Sequence, residues 1–344
     1  MILLAQRNAG GIEAKLTAKR IMSASSSSLA PTSSLPPPTY LLYFLDSYKF
    51  TAHAKLLEVR RVPDVECMQK RSENDKKNNH NTQGRSSFFD LVLDQTIFHP
   101  QGGGQPSDEG SISHSSSGLV FDVSKTVLDK ETGVVLHRGV YRDSSSSSSP
   151  SVDPLDTWRV GDEVLLQINV AKRTLHTKLH TAGHLVDLAE SQLGFNWLPG
   201  KAFHFPEGPY IEYNTGEHSV KITEANRGEI STKLNNTCND LINNSNHEGN
   251  HSVHDKERRD HCDSSMKRED QEEEIEKEEE VGLESAKDSF LPTAVNTRRY
   301  VSIGGVGTFC GGTHLRDIKE LQQIQIKKIS SKKNLVRIHY TVPA

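Results

Sequence analysis

Short runs in which hydrophobic and polar residues alternate dominate the first half of the chain. Such runs, rich in β-branched and aromatic residues and separated by polar turns, are typical of strands. The segment Asp129–Gly133 lies between two of them and predicts a hairpin turn. The predicted strands are 41–45, 52–62, 88–97, 119–128, 134–140 and 164–170. Many short strands joined by turns predict a small antiparallel β-barrel.

The hydrophobic period changes from two to about 3.6 at Arg173, which predicts a helix that ends at Gly194. A second helix is predicted from Thr223, as its N-cap, to Ile242. Strands are then predicted at 299–303, 323–329 and 335–342. The second half is therefore predicted to be α+β, with two helices packed against a mostly antiparallel sheet.

Two regions show no hydrophobic period. Residues 1–38 are rich in Ser, Ala and Pro and are predicted to be a disordered leader, while residues 244–290 are predicted to be a disordered acidic insert. The folded sequence then divides into a barrel domain at 40–170 and an α+β domain at 171–344. The polar segments 69–87 and 144–149 are predicted to be loops within the barrel.

Charge is unevenly distributed along the chain. The whole sequence has a net charge of −4, but residues 244–290 contain 16 acidic and 7 basic side chains, so the remainder carries +5. A mildly basic folded part is compatible with a polyanionic partner. No segment approaches the roughly 20 apolar residues of a membrane span, which predicts a soluble protein that does not enter a membrane.

The four cysteines, Cys67, Cys238, Cys262 and Cys310, lack the density of a disulfide scaffold, which favours a reducing compartment. The cytoplasm is the predicted location. The leader holds one acidic residue against four basic ones, a composition that organelle transit peptides share. Targeting to an organelle therefore stays open as an alternative.

Two pairs of metal-binding residue types recur at a spacing of four. His180 and His184 lie in HTAGH on the first predicted helix, so both rings face one side, one turn apart. Cys310 and His314 lie in CGGTH, where two glycines favour a tight loop over a helix. One thiolate and three imidazoles complete a four-ligand set, and these ligand types favour zinc over copper or iron. Ordinary partly buried histidines at helical spacing are the alternative.

Several motifs, in this order, resemble a specific family. HTAGHL followed much later by CGGTHL resembles the second additional domain shared by threonyl- and alanyl-tRNA synthetases. Upstream, FHPQGGGQPSDEG at 98–110 resembles the glycine-rich motif that precedes the editing domain of alanyl-tRNA synthetase, and DSYKFTA at 46–52 and VLDKETGVVLHRG at 127–139 fit the same block. Together they resemble the freestanding AlaX family, in the form with an N-terminal glycine-rich barrel, over about 40–243 and 291–344.

The resemblance implies a translation-factor-like barrel followed by an α+β editing domain. It implies zinc held by His180, His184, Cys310 and His314, and hydrolysis of mischarged alanine tRNA that releases serine or glycine. No segment resembles a class II aminoacylation core, so neither ATP binding nor aminoacylation is expected. The oligomeric state is not assigned. The predicted substrate- and tRNA-contacting residues are Gln101, Gly102, Gly103, Gly104, Gln105, Thr181, Arg298 and Arg299.

Two features of the sequence depart from this pattern or leave alternatives open. Family members often have a threonine shortly after the first metal pair, whereas Leu198 and Lys201 stand in that region here. Four protein ligands describe a closed structural zinc site, whereas a catalytic zinc keeps an open position. A non-catalytic, zinc-stabilised module that binds tRNA or protein is therefore the alternative function. A remnant that works only alongside a synthetase is a third.

Overall fold

Six antiparallel strands close into a barrel in the first part of the chain. The computed structural model describes residues 35–63, 88–142, 157–245, 292–294 and 299–343. The strands of the first part are β1 (Tyr40–Leu41), β2 (Thr51–Arg61), β3 (Phe89–Leu93), β4 (Gln95–Thr96), β5 (Gly110–His114), β6 (Val120–Leu128), β7 (Val135–Tyr141) and β8 (Glu163–Ile168). The barrel order is β2-β3-β7-β6-β5-β8, and β1 pairs with β4 beside it.

The alternating pattern of β2 explains how the barrel core forms. Ala52, Ala54 and Leu56 point inward, while the residues between them are exposed. They pack with side chains such as Leu91 and Leu166 from the other strands into one hydrophobic cluster. The predicted loops 69–87 and 144–149 lie outside the described residues, as does the predicted leader apart from residues 35–38.

The second part packs two long helices on one face of a four-stranded antiparallel sheet. Its elements are α2 (Val170–Gln192), β9 (Trp197–Phe203), β10 (Tyr210–Thr215), α3 (Arg227–Asn244), β11 (Tyr300–Ile303), β12 (Val306–Phe309), a 3-10 helix (Ile318–Leu321), β13 (Gln325–Lys332) and β14 (Leu335–Thr341). The sheet order is β13-β14-β10-β9, and β11 and β12 form a separate hairpin. The α+β prediction is confirmed. Apart from residues 244 and 245, the predicted acidic insert lies outside the described residues.

Two predictions of local structure were wrong. Residues 41–45 were predicted as a strand, but only Leu41 is in β1, and Leu42–Leu45 form a single helical turn, α1. Thr223 was predicted to cap the second helix, which instead begins at Arg227 after Asn226. Thr223 Oγ1 accepts a hydrogen bond from the Asn226 backbone nitrogen at 3.3 Å, so Thr223 stabilises the turn that immediately precedes the helix.

The helix α2 is fixed at its start by polar contacts. The Asn169 side chain caps it by accepting a hydrogen bond from the Lys172 nitrogen at 3.1 Å. Arg173, in the first turn, is 1% exposed and forms a buried ion pair with Asp108 of the segment between β4 and β5. Its Nη1 also donates to the Ser47 carbonyl at 2.9 Å. This arginine therefore orients α2 on the barrel. None of the described helices is long and apolar enough to cross a bilayer.

Candidate metal centre

Four side chains with metal-binding atoms meet at the middle of α2. His180, His184, Cys310 and His314 each offer one ligand atom, and these atoms all lie within 4.8 Å of one another. Atoms bonded to one tetrahedral zinc ion are about 3.3–3.8 Å apart, so only a small contraction would bring them to that geometry. The structure therefore brings together the two sequence pairs that were predicted to share a metal.

The hydrogen bonds of His180 determine which ring nitrogen faces the cluster. Its Nδ1 lies 2.7 Å from the side-chain oxygen of Gln105, which can only accept, so Nδ1 carries the proton. The lone pair is then on Nε2, and this atom lies 3.3 Å from the Cys310 sulfur. Such an outer contact fixes the tautomer and orientation of a metal-binding histidine.

The second glycine of CGGTH is required by close packing against His180. A Cβ atom on Gly312 would lie 2.0 Å from Cε1 of the His180 ring, far inside van der Waals contact. The Gly312 nitrogen also lies 3.5 Å from the Cys310 sulfur, to which it donates. The loop can therefore wrap around the first histidine only because this residue has no side chain.

The donor set fits a zinc ion. His184 Nε2 is a buried nitrogen with no hydrogen-bond partner among the described residues, which is costly unless something else satisfies it. Burial lowers the pKa of His184 to about 4 and the pKa of His180 well below its usual value, so both imidazoles are neutral at pH 7 and able to bind metal. Burial raises the pKa of the Cys310 thiol, so metal binding there would release a proton.

The glycine-rich loop at 101–105 covers this cluster from the barrel side. Gln105 is fully buried, and its Nε2 donates to Thr313 Oγ1 at 2.9 Å while its Oε1 accepts from the Thr313 nitrogen at 2.9 Å. Gly103, with a φ of 56°, places its Cα beside the His180 ring. The loop thus reaches both ligand pairs, and the predicted contact of its residues with a substrate or tRNA stays a prediction.

Comparison with known proteins shows which proteins this chain resembles. No protein-family model matches the chain. It is 25% identical over 255 residues to the alanyl-tRNA editing protein AlaX-M of Methanosarcina barkeri, covering 73% of this chain and 88% of that protein. It is 26% identical over 310 residues to AlaX-L of Pyrococcus horikoshii, covering 87% of this chain and 57% of that protein. The chain is thus similar to AlaX editing proteins over most of its length.

Alanine–tRNA ligases match a shorter region. That of Methanosphaera stadtmanae is 41% identical over 96 residues, which is 28% of this chain but 9% of the ligase. The chain therefore spans only a small part of the ligases that it matches. Its likeness to AlaX proteins extends over the barrel and the sheet together.

The sequence-based prediction did not include His204, which lies beside the cluster of candidate metal ligands. Its ring stacks on that of His180 with centroids 4.6 Å apart, and its Nδ1 lies 2.6 Å from the Tyr340 hydroxyl. Because that hydroxyl donates to the Leu179 carbonyl at 2.9 Å, it accepts from His204, and the free lone pair is on Nε2. Burial lowers the pKa of His204 to about 3, so the ring is neutral.

Two glycines make room for His204. A Cβ atom on Gly183 would lie 2.3 Å from the His204 Cε1 atom, and one on Gly104 would lie 3.1 Å from its Cδ2 atom. The sequence signal that could have found this residue is therefore the pair of glycines, one in each motif. A lone histidine in an extended run carries no such signal.

The remaining predicted contact residues differ in their surroundings. Thr181 is fully buried, and its hydroxyl accepts a hydrogen bond from the Leu315 nitrogen at 3.0 Å. Arg299 is 4% exposed and donates to the Gly312 carbonyl. Gln101 is exposed at the loop surface, and Arg298 lies outside the described residues. The roles of all four toward a substrate stay predictions.

Proposed function

We propose that this protein hydrolyses the ester bond of mischarged alanine tRNA, chiefly Ser-tRNA(Ala) and also Gly-tRNA(Ala). The observation that carries the proposal is the cluster of three histidines and one cysteine, two buried and two half-buried, beneath the glycine-rich loop of a chain that aligns with alanyl-tRNA editing proteins. Among the relatives, the AlaX proteins are named for alanyl-tRNA editing.

The reaction is a simple ester hydrolysis. Water adds to the ester carbonyl carbon, and the bond from that carbon to the ribose oxygen breaks. One proton of the water goes to the ribose oxygen, the other is released to solvent, and the amino acid leaves as a carboxylate. When bound, zinc would supply a fixed positive centre that orients substrate and water and polarises the carbonyl. His180, His184, Cys310 and His314 would hold it.

His204 has the properties of a substrate contact. Its Nε2 makes no hydrogen bond among the described residues, and its lone pair is fixed by the Tyr340 contact at Nδ1. A neutral nitrogen of this kind accepts a hydrogen bond from a hydroxyl, an amino group or a water molecule. We infer that it accepts from the substrate or from the attacking water.

The need for this activity follows from the chemistry of small amino acids. A hydrophobic pocket cannot strongly reject an isostere that merely adds a hydroxyl, so serine is misloaded in place of alanine. A second site can instead require that hydroxyl through a polar contact. The neutral acceptor His204 supplies such a contact near the metal cluster.

Deacylation assays test the proposal. The purified full chain is mixed with alanine tRNA charged with serine, glycine or alanine, with and without a chelator followed by added zinc. Release of serine that is faster than release of alanine, lost with chelator and restored by zinc, is the expected result. Equal rates for serine and alanine, or no release above the spontaneous rate in the zinc-loaded protein, would contradict the proposal.

A second candidate function is a non-catalytic zinc-stabilised module that binds tRNA. The observation in its favour is that four protein donors converge, which is the number found in closed structural sites. Tight binding of the same tRNAs by the zinc-loaded protein, without turnover, is the result that would select it over the hydrolase.

A further inference from the structure

A row of directly paired residues crosses the face of the four-stranded sheet that the helices do not cover. Lys328 of β13 pairs with His339 of β14, His339 pairs with Tyr210 of β10, and Tyr210 pairs with Phe203 of β9. Their neighbours along each strand, such as Ile211 and Ile338, point into the core instead. One residue from each strand therefore contributes to a line that runs across the sheet.

Three rings of this row are stacked, and the fourth is tilted by 47° against its neighbour. Phe203 lies 4.4 Å from Phe205, which follows β9, with an angle of 13° between the rings, and 5.4 Å from Tyr210 with an angle of 20°. Tyr210 lies 5.3 Å from the His339 ring, and the Arg337 guanidinium lies 5.1 Å from the Tyr210 centroid. We call Phe203, Phe205, Tyr210 and His339 the aromatic row. All four side chains are partly exposed.

The same four strands are strongly basic. They contain five cationic side chains and a single acidic one, Glu212. Glu212 is already paired with Arg337, whose Nε lies 2.7 Å from its carboxylate. The cationic residues, all exposed, are Lys201, Lys327, Lys328, Lys332 and Arg337. A polyanion is therefore the partner whose charge complements this face.

One end of the aromatic row is adjacent to the metal centre. Phe203 and Phe205 flank His204, whose side chain points to the opposite side and stacks on His180. The His204 backbone nitrogen donates to the Gly104 carbonyl at 2.8 Å, which ties this end of β9 to the glycine-rich loop. A chain lying along the row would thus end beside His204, whose ring stacks on that of the candidate ligand His180.

We propose that the aromatic row binds the unpaired 3′ nucleotides of tRNA and leads its terminal ribose toward the metal centre. Proteins that hold single-stranded RNA combine a basic surface with aromatic side chains on which bases stack, and four-stranded sheets of this kind stack two or three bases. Neighbouring strands are about 4.8 Å apart, so the row spans about 10 Å from Phe203 to His339, and Phe205 adds a ring beside Phe203; this length is enough for two or three stacked bases. The inference depends on the proposed function only in taking tRNA as the partner.

A binding cycle tests the row without any hydrolysis. The probes are uncharged alanine tRNA and the same tRNA without its four unpaired 3′ nucleotides, and the readout is the dissociation constant with the zinc-loaded full chain. The variants Tyr210→Leu and Phe203→Leu remove an aromatic face but keep apolar volume. Tyr40→Leu, which changes an exposed aromatic residue of β1, is the matched control.

Each of the two row variants is expected to weaken binding of the intact tRNA by about tenfold, the scale of one lost base–aromatic stack. Neither should further weaken binding of the shortened tRNA, and Tyr40→Leu should leave both dissociation constants unchanged. Unchanged affinity for intact tRNA, or an equal loss with both tRNAs, would overturn the proposal. Loss of self-association in the variants, with tRNA affinity intact, would assign the face to a second copy and overturn it as well.

The outcomes separate this inference from the proposed function. If the binding constants change as expected but the protein releases no amino acid, the proposed role of the aromatic row is supported and the proposed hydrolase activity is contradicted. If the protein releases serine rapidly and the row variants bind and turn over tRNA normally, the hydrolase activity is supported and the proposed role of the aromatic row is contradicted. In an active protein, the row variants are expected to raise KM with kcat unchanged.

Discussion

Gln105 of the barrel loop accepts a hydrogen bond from the ring nitrogen Nδ1 of His180 at 2.7 Å, across 75 residues of sequence. The same side chain bonds both the backbone nitrogen and the hydroxyl of Thr313, which lies between Cys310 and His314. One buried amide thus contacts both halves of the candidate metal centre. The barrel loop therefore takes part in building the site as well as covering it.

Replacing Gln105 with leucine is expected to weaken zinc binding by about 10–100-fold although no ligand is removed, because the outer contact fixes the ligand's orientation. Competition with a chromophoric chelator measures the affinity. Gln105→Glu keeps an acceptor for His180 and should bind zinc more tightly than the leucine variant. Equal affinities for the wild type and the leucine variant would show that the contact does not matter.

The two described cysteines provide a matched pair for testing the metal assignment. Cys310→Ala removes one of the four donors and is expected to leave little bound zinc after dialysis. Cys238→Ala removes a buried thiol on α3, outside the cluster, and should retain one zinc per chain. Elemental analysis of both proteins is the measurement. Full zinc retention by Cys310→Ala would remove this residue from the ligand set.

His204→Phe tests the inferred substrate contact, because phenylalanine keeps the ring that stacks on His180 but has no nitrogen lone pair. The variant is expected to keep its zinc and lose serine release by about 10²-fold, the scale of removing one hydrogen bond to the reacting groups. Zinc content and kcat/KM are measured together. A kcat/KM equal to that of the wild type would show that His204 contributes to packing and does not contact the substrate or the attacking water.

The buried pair of Arg173 and Asp108 sets the attachment of α2 to the barrel, with both side chains 1% exposed. Arg173→Met should lower the free energy of unfolding by about 3–5 kcal/mol, because it leaves a buried carboxylate without its cation. Adding Asp108→Asn should recover part of that loss. Urea unfolding of the two variants checks this, and a double variant less stable than the single one would contradict it.

His137 gives a prediction for pH. It is buried in the barrel between the Thr96 hydroxyl and the Leu91 carbonyl, and burial lowers its pKa to about 4. The unfolded chain, with a pKa of about 6.5, takes up the proton first as pH falls. The neutral burial of His137 therefore contributes fully to the free energy of unfolding above pH 6.5. This contribution is lost progressively as the pH falls to about 4.

Between pH 6 and pH 5 this histidine should contribute a loss of about 1 kcal/mol per pH unit. His137→Gln, which does not titrate, should show a correspondingly shallower slope when urea unfolding is repeated across this range. Other groups titrate equally in both proteins, so the difference in slope isolates His137. If the free energy of unfolding changed with pH equally in the wild type and in His137→Gln, the neutral burial of His137 would be contradicted.

Hydrophobic periodicity alone could predict most of the fold. The strands of the barrel and the helix α2 follow strong local patterns, and Gly194, with a φ of 65°, ends the helix region as expected. The single turn at Leu42–Leu45 could not be predicted, because an apolar run of that length fits a strand or a buried helix equally. Thr223 and Asn226 are both good capping residues, so only the structure shows where α3 begins.

The candidate site, like the fold, could be predicted from the sequence only in part. The four candidate metal ligands could be predicted to lie together because the spacing within each pair is local and their chemistry is distinctive. The roles of Gln105 and His204 depend on contacts with residues 75 and 24 positions away, so no local pattern announces them. Arg299 was predicted as an RNA contact on charge alone, whereas its burial and its bond to Gly312 arise only in the folded chain.

The two ligand pairs also have a consequence for the topology of the chain. A metal bound by His184 and Cys310 is a cross-link that encloses the 125 residues between them, including the whole acidic segment. Closing a loop of about 100 residues restricts the unfolded chain by an entropy worth about 4–5 kcal/mol in the disulfide analogy. This contribution grows only with the logarithm of loop length. Lineages that lengthen or shorten the connection between α3 and β11 would therefore retain nearly the same stabilisation from the ion.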